Sequence, residues 1–154
     1  MANPRLTAWF EDYADGHRHP MNRLTHKVAI PLIVFHILAM LDWIPLVDLG
    51  AFTLTGGHVG WLVATVWYTR LDVRLGLIMS ALFGATIPLG WYVPAWAVVA
   101  IAAFAWLVQL AGHRVWEKNR PSFVKNIQHA LVGPLFFVAL LTGDWPAAEL
   151  DRRR

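Results

Sequence analysis

Apolar residues along this chain fall in long blocks, without the period-two alternation of a half-buried strand or the 3.6-residue stripe of a helix on a soluble core. Four blocks, at 28–41, 52–68, 75–91 and 93–110, predict membrane spans. The first is followed by Asp42, Pro45 and Asp48, so it spans only if it tilts or sets its polar end in an interface. The second is weakened at its start by Gly56, Gly57 and His58, and the last two are joined by a short turn around Gly90 and Pro94 that makes them antiparallel neighbours. A fifth block, 130–141, is interrupted by Gly133 and Pro134, and is too short to cross roughly 30 Å of hydrocarbon at about 1.5 Å per residue. Ahead of all of them, Leu6, Trp9, Phe10 and Tyr13 stand at helical spacing before breaks at Gly16 and Pro20. That pattern predicts a helix lying on the bilayer and leading into the first span.

The expected fold is all-α: a polytopic helical membrane protein of one domain over residues 1–154, with four spans, an interfacial N-terminal helix and a short re-entrant or interfacial C-terminal helix. Composition agrees, with 57% hydrophobic and 15% charged residues, and nine Trp and nine Pro suiting interfacial aromatic belts and tilted spans. The absence of cysteine excludes disulfides, thiolate metal sites and thiol nucleophiles. Residues 1–27 carry Glu11, Asp12, Asp15 and three histidines and lack an apolar core, so they are not a secretory signal.

Charge placement orients the spans. With a cytosolic N-terminus and four crossings, the cytosolic side receives Arg5, Arg18, Arg23 and Lys27, then Arg70 and Arg74, then Arg114, Lys118, Arg120 and Lys125. The opposite loops receive only Asp42 and Asp48, which is the asymmetry of a positive-inside protein. Arg152, Arg153 and Arg154 join the cytosolic set if the last block dips in and returns or lies in the interface. The net charge of +3 is thus spread at span ends, where anionic headgroups are the partner; nucleic acid is not. The expected home is a bacterial inner membrane or the endoplasmic reticulum.

Under that topology His17, His19, His26, His113 and His129 gather at the cytosolic interface from opposite ends of the chain. Polar groups converging at one membrane level are costly unless paired or used, and neutral imidazoles suit iron, zinc or copper. If Pro20 begins a helix, Asn22 and His26 share a face and His17 approaches from the preceding turn. A helix running on past residue 110 places His113 and Glu117 four positions apart on one face, either as a ligand with its orienting carboxylate or as a juxtamembrane end with Glu117 paired to a neighbouring cation. His36 reads as a core histidine bonded to a neighbouring carbonyl, and His58 as an interfacial one. Seven histidines without an HxxHH box favour a mononuclear site over a coupled di-iron one. Iron and zinc both remain open here, and so do three functions: a metal-dependent lipid oxidase, a zinc-dependent membrane lipid hydrolase and a non-catalytic membrane module.

Two stretches narrow the choice. Tyr13, His17, Asn22, Arg23 and His26, followed by Pro31 and Leu32, resemble the opening motif of a small membrane family that includes a fungal endoplasmic-reticulum 2-hydroxy fatty acid dioxygenase. Trp106 to His113, then Glu117, Arg120 and Pro121, and later Asn126 and Pro134, resemble its second motif; Tyr68, Leu71 and Asp72 form a weaker third match. The resemblance covers about residues 9–140. It implies Fe(II)-dependent alpha-oxidation, in which a long-chain 2-hydroxy fatty acid and dioxygen give a fatty acid one carbon shorter. By the same resemblance His17, His26 and His113 are iron ligands and His129 a fourth. The residues themselves place Arg120 or Lys118 to meet the substrate carboxylate and Glu117 or Asn22 to orient a ligand imidazole. A cytosol-facing site at headgroup depth lets the acid reach the metal while its chain stays in membrane lipid.

Overall fold

The computed structural model describes residues 3–119 and 128–145. Among them the chain is mostly helical, with α1 (Pro4–Asp15), α2 (Pro20–Asp42), α3 (Gly56–Leu71), α4 (Val73–Gly90), α5 (Ala95–Ala111) and α6 (His129–Thr142). Local chemistry sets several boundaries. Asn3 caps α1 by accepting from the Arg5 and Leu6 amides, with Pro4 at the first helical position. Pro20 likewise opens α2 rather than merely breaking the preceding segment, which adds about two polar turns to the first apolar block. Asp72 alone joins α3 to α4: its amide closes α3 on the Tyr68 carbonyl and its carboxylate accepts from the Leu75 amide.

Two features depart from an all-helical reading. Residues after Asp42 form a two-stranded antiparallel hairpin, β1 (Pro45–Asp48) and β2 (Thr53–Thr55), in place of a plain loop. Beyond α5 the helix widens into a π-helical turn, Gly112–Glu117, ended by Lys118 in the left-handed region at φ 54°. Gly133 and Pro134 do not interrupt the last block: α6 runs through both.

Among the described residues three helical stretches are long and apolar enough to cross a membrane, namely Pro20–Asp42, Val73–Gly90 and Ala95–Glu117. Helix α3, with 16 residues, is shorter, and α6, with 14, spans only about 21 Å. The described residues divide into two compact parts, one reaching to Ile30 and resuming at Trp106, the other running from Pro31 to Ala105.

In the second part α3 and α4 lie side by side. Trp61 Nε1 donates to the Ser80 carbonyl at 2.8 Å, Thr65 Oγ1 donates to Ser80 Oγ at 3.0 Å, and a Cβ on Gly76 would stand 2.5 Å from the Thr69 nitrogen. Such close backbone approach through small residues suits helices that have only packing and hydrogen bonds to hold them together in lipid. At the far end Asp42 accepts from Trp91 Nε1 at 2.8 Å and from the Thr55 hydroxyl, and His58 Nδ1 lies 2.7 Å from that hydroxyl. His58 is thus tied into a helix-start network, and His36 Nδ1 donates to the Leu32 carbonyl at 3.0 Å.

In the first part α1 packs on α6. Leu6, Phe10, Tyr13 and Ala14 are buried, Phe10 meets Phe136 and Trp145 edge to face, and Gly133 lets the Tyr13 ring come close. The amphipathic face of α1 therefore covers another helix, where the spacing alone had suggested the bilayer surface.

Candidate metal centre

Every group of the candidate centre belongs to the first part. His17 stands in the short link between α1 and α2, His26 one and a half turns into α2, and His113 in the π-helical turn. All three are essentially fully buried. His26 Nε2 lies 3.2 Å from His17 Nε2 and 3.1 Å from His113 Nε2, and the rings are mutually steep, at 74° to 81°. These are the described residues whose ligand atoms converge closely enough to hold an ion.

The outer nitrogens decide what the inner ones carry. His17 Nδ1 donates to the Tyr13 carbonyl at 2.6 Å, His26 Nδ1 to the Asn22 carbonyl at 2.8 Å, and His113 Nδ1 to Asn119 Oδ1 at 3.0 Å. Each neutral imidazole has one N–H, so all three Nε2 atoms present lone pairs to one another. Such pairs at hydrogen-bond distance repel unless a cation lies among them. Imidazole nitrogens on one ion at about 2.1 Å stand about 3.0–3.4 Å apart for right-angled to tetrahedral arrangements, and both His26 separations fit that span. Three ligands on one side leave the other positions open, as a catalytic site requires.

Protonation favours the same state. Burial, helped by the neighbouring His26, holds the His17 imidazole well below its usual 6.5, against the opposing pull of the Tyr13 carbonyl. A residue neutral in the fold but titrating normally when unfolded lets only the unfolded chain gain a proton on acidification. The thermal midpoint of metal-free protein should therefore fall as the pH drops below about 6.5. A midpoint flat through that range in calorimetry would remove the buried neutral imidazole from the account.

Backbone fit explains how distant segments meet. A Cβ on Gly112 would stand 2.3 Å from Thr25 Oγ1 and 2.5 Å from Asn22 Oδ1, so only glycine lets the π-helical turn lie this close to α2. Glu117 then reaches over the amino end of α2, accepting from the Arg18 amide at 2.6 Å, the His19 amide at 2.9 Å and Asn22 Nδ2 at 3.3 Å. It caps a helix from 95 or more positions away, where the dipole favours a negative charge. Lys118 adopts its left-handed backbone one residue later, its amide bonding the His113 carbonyl, and Asn119 thereby returns to His113. Tyr13 stacks on His17 at 3.9 Å and 14°, fixing the plane of that ring.

Of the residues singled out in the sequence, His17, His26 and His113 come together. Asn22 contributes its backbone carbonyl to His26 and its side chain to Glu117, and Glu117 touches helix-start amides rather than an imidazole. His129 is buried beside the group, but its Nε2 lies 3.1 Å from Asp12 Oδ2, at ion-pair distance though not aligned as a hydrogen bond. His19 is partly exposed and its Nδ1 accepts from the Met21 amide. Arg120 lies outside the described residues. Gln109 lies inside the second motif with no role assigned from the sequence, and its Nε2 stands 2.7 Å from His26 Nε2. Its place one turn ahead of His113 on the same helix was the available signal.

Residues 4–145 match the family described as 2-hydroxy-palmitic acid dioxygenase Mpo1-like. The chain belongs to that family. A curated relative, the 2-hydroxy-palmitic acid dioxygenase MPO1 of Saccharomyces cerevisiae, is 24% identical over 126 residues, covering 82% of this chain and 72% of the yeast protein. No solved structure matches. The Mpo1-like match takes in all three converging histidines and the two segments that carry them.

Proposed function

We propose that this protein is an Fe(II)-dependent dioxygenase that shortens long-chain 2-hydroxy fatty acids by one carbon, with His17, His26 and His113 holding the metal. The observation that carries the reading is the convergence of three Nε2 lone pairs, each fixed by an acceptor on the opposite ring nitrogen. Family membership supplies the substrate class. Bound there, ferrous iron provides the redox chemistry that lets dioxygen react with an organic acid.

The chain's own residues bind and orient. All three imidazoles are neutral, so a divalent ion held by them would keep its full charge, and the site would suit a carboxylate with an adjacent hydroxyl. Tyr13 and Asn119 hold the ring planes, and burial of the histidines keeps bulk water away. The atoms balance with one dioxygen per acid, R–CH(OH)–COOH plus O2 giving R–COOH, CO2 and H2O, and the substrate supplies every electron. No separate reductant is required. Anaerobically prepared protein loaded with ferrous iron should consume oxygen on addition of a 2-hydroxy fatty acid without a nicotinamide or flavin donor. Turnover on lipid with zinc and without oxygen would rule for a hydrolase instead.

The α3 and α4 pair supports a reading with four crossings. Two helices of 16 and 18 residues, joined by one residue and packed along their length, reach across nearly the same thickness. If α4 crosses, α3 does too, which makes four crossings with the Lys and Arg on the cytosolic side. The iron ligands then lie near the cytosolic interface, and α6 lies within or along that leaflet. A single cysteine at position 48 should be labelled by an impermeant reagent from outside, and one at 118 only from the cytosol; labelling of both from one side would undo four crossings.

A further inference from the structure

We infer that Gln109 is a fourth ligand, giving the cation an amide oxygen beside the three imidazoles. The inference rests on the metal reading above and deepens it. Gln109 projects from the last turn of α5 and is 6% exposed, with Nε2 2.7 Å from His26 Nε2, the nitrogen that stands between the other two. Because His26 Nδ1 donates to the Asn22 carbonyl, His26 Nε2 has one lone pair to give. That pair can accept an N–H from Gln109 or bind a cation, but not both.

The other end of the amide is out of place. Among the described residues Gln109 Oε1 is buried without a hydrogen-bond partner, an unfavourable state for a polar atom. A half-turn of the terminal torsion exchanges oxygen and nitrogen with almost no change of shape, and that torsion is soft. The exchange removes the competing N–H from His26 and turns the orphan oxygen toward the three lone pairs. An amide oxygen is a hard neutral donor compatible with a ferrous ion. The set of three imidazoles and one amide carries no charge of its own, so the ion's full double charge remains to draw in a substrate carboxylate.

Titration of the detergent-solubilised full chain with cobalt(II), followed by its visible absorption, tests this without turnover. Wild type should saturate with one cobalt. Gln109→Leu should bind more than about a hundredfold more weakly, beyond the loss typical of an outer-shell partner, and with shifted bands, and its metal-free form should melt no lower than wild type, because leucine removes the orphan oxygen. Gln109→Glu should bind at least as tightly as wild type with bands of its own, and this variant carries the test if the leucine variant does not fold. Wild-type affinity and bands in both variants, alongside loss of binding in His26→Ala, would leave the metal site standing and overturn the role of Gln109. Weak binding in both variants with a lowered metal-free midpoint would make Gln109 a structural partner of His26. No cobalt bound by wild type would overturn the site and this inference together.

Discussion

His26→Ala is expected to abolish stoichiometric iron and, with it, oxygen uptake on a 2-hydroxy fatty acid. His26 is the centre of the group, within 3.2 Å of His17 and 3.1 Å of His113, so its loss removes the proposed ligand that adjoins both others. Loss of an outer-shell partner typically lowers metal affinity about 10–100-fold, and loss of a direct ligand should exceed that. Stability gives a second readout. A ligand at about a hundred times its Kd stabilises a fold by about 2.7 kcal/mol, so ferrous iron should raise the melting midpoint of wild type and leave that of the variant unmoved. His58→Ala serves as the control, since His58 bonds Thr55 in the second part of the chain and touches none of the three. Iron retained at wild-type level by both His26→Ala and His113→Ala would remove the site. Iron lost equally from His58→Ala would show that the measurement follows folding rather than ligation.

Much of this was legible in the chain because its signals are local. Apolar block length predicted α2, α4 and α5, and the spacing of Asn22 and His26 placed them on one face once Pro20 opened a helix. Histidines from opposite ends were expected at one level, and three of the five at that level converge. What stayed hidden depends on tertiary docking. The spacing of Leu6, Phe10 and Tyr13 shows that α1 has an apolar face, but lipid and the Phe136 side of α6 are equivalent partners to such a face. The π-helical turn has no periodic signature in six residues; it exists because Gly112 fits under Thr25 and Glu117 is held by α2. The hairpin of Pro45–Asp48 and Thr53–Thr55 is too short to alternate visibly, and its exposed Leu46, Val47 and Phe52 look like part of a span.

Glu117→Ala should weaken metal binding by about 10–100-fold through position alone, without removing a ligand. The carboxylate accepts from two amides at the start of α2 and from Asn22, whose own carbonyl orients His26. Cutting those bonds frees the π-helical turn that carries His113 and unseats the segment between His17 and His26. Hydrogen bonds to a charged group are worth about 1.5–3 kcal/mol each when shielded, but Glu117 is half-buried, so a net loss of about 2 kcal/mol is the reasonable expectation after solvent screening. Glu117→Gln keeps one acceptor oxygen and should fall between wild type and alanine in both metal affinity and melting midpoint. A residue acting directly on substrate would behave differently: turnover would collapse in both variants while iron affinity and midpoint stayed at wild-type values. That split between affinity and turnover separates a cap that aligns the two ends of the chain from a group that touches the reacting atoms.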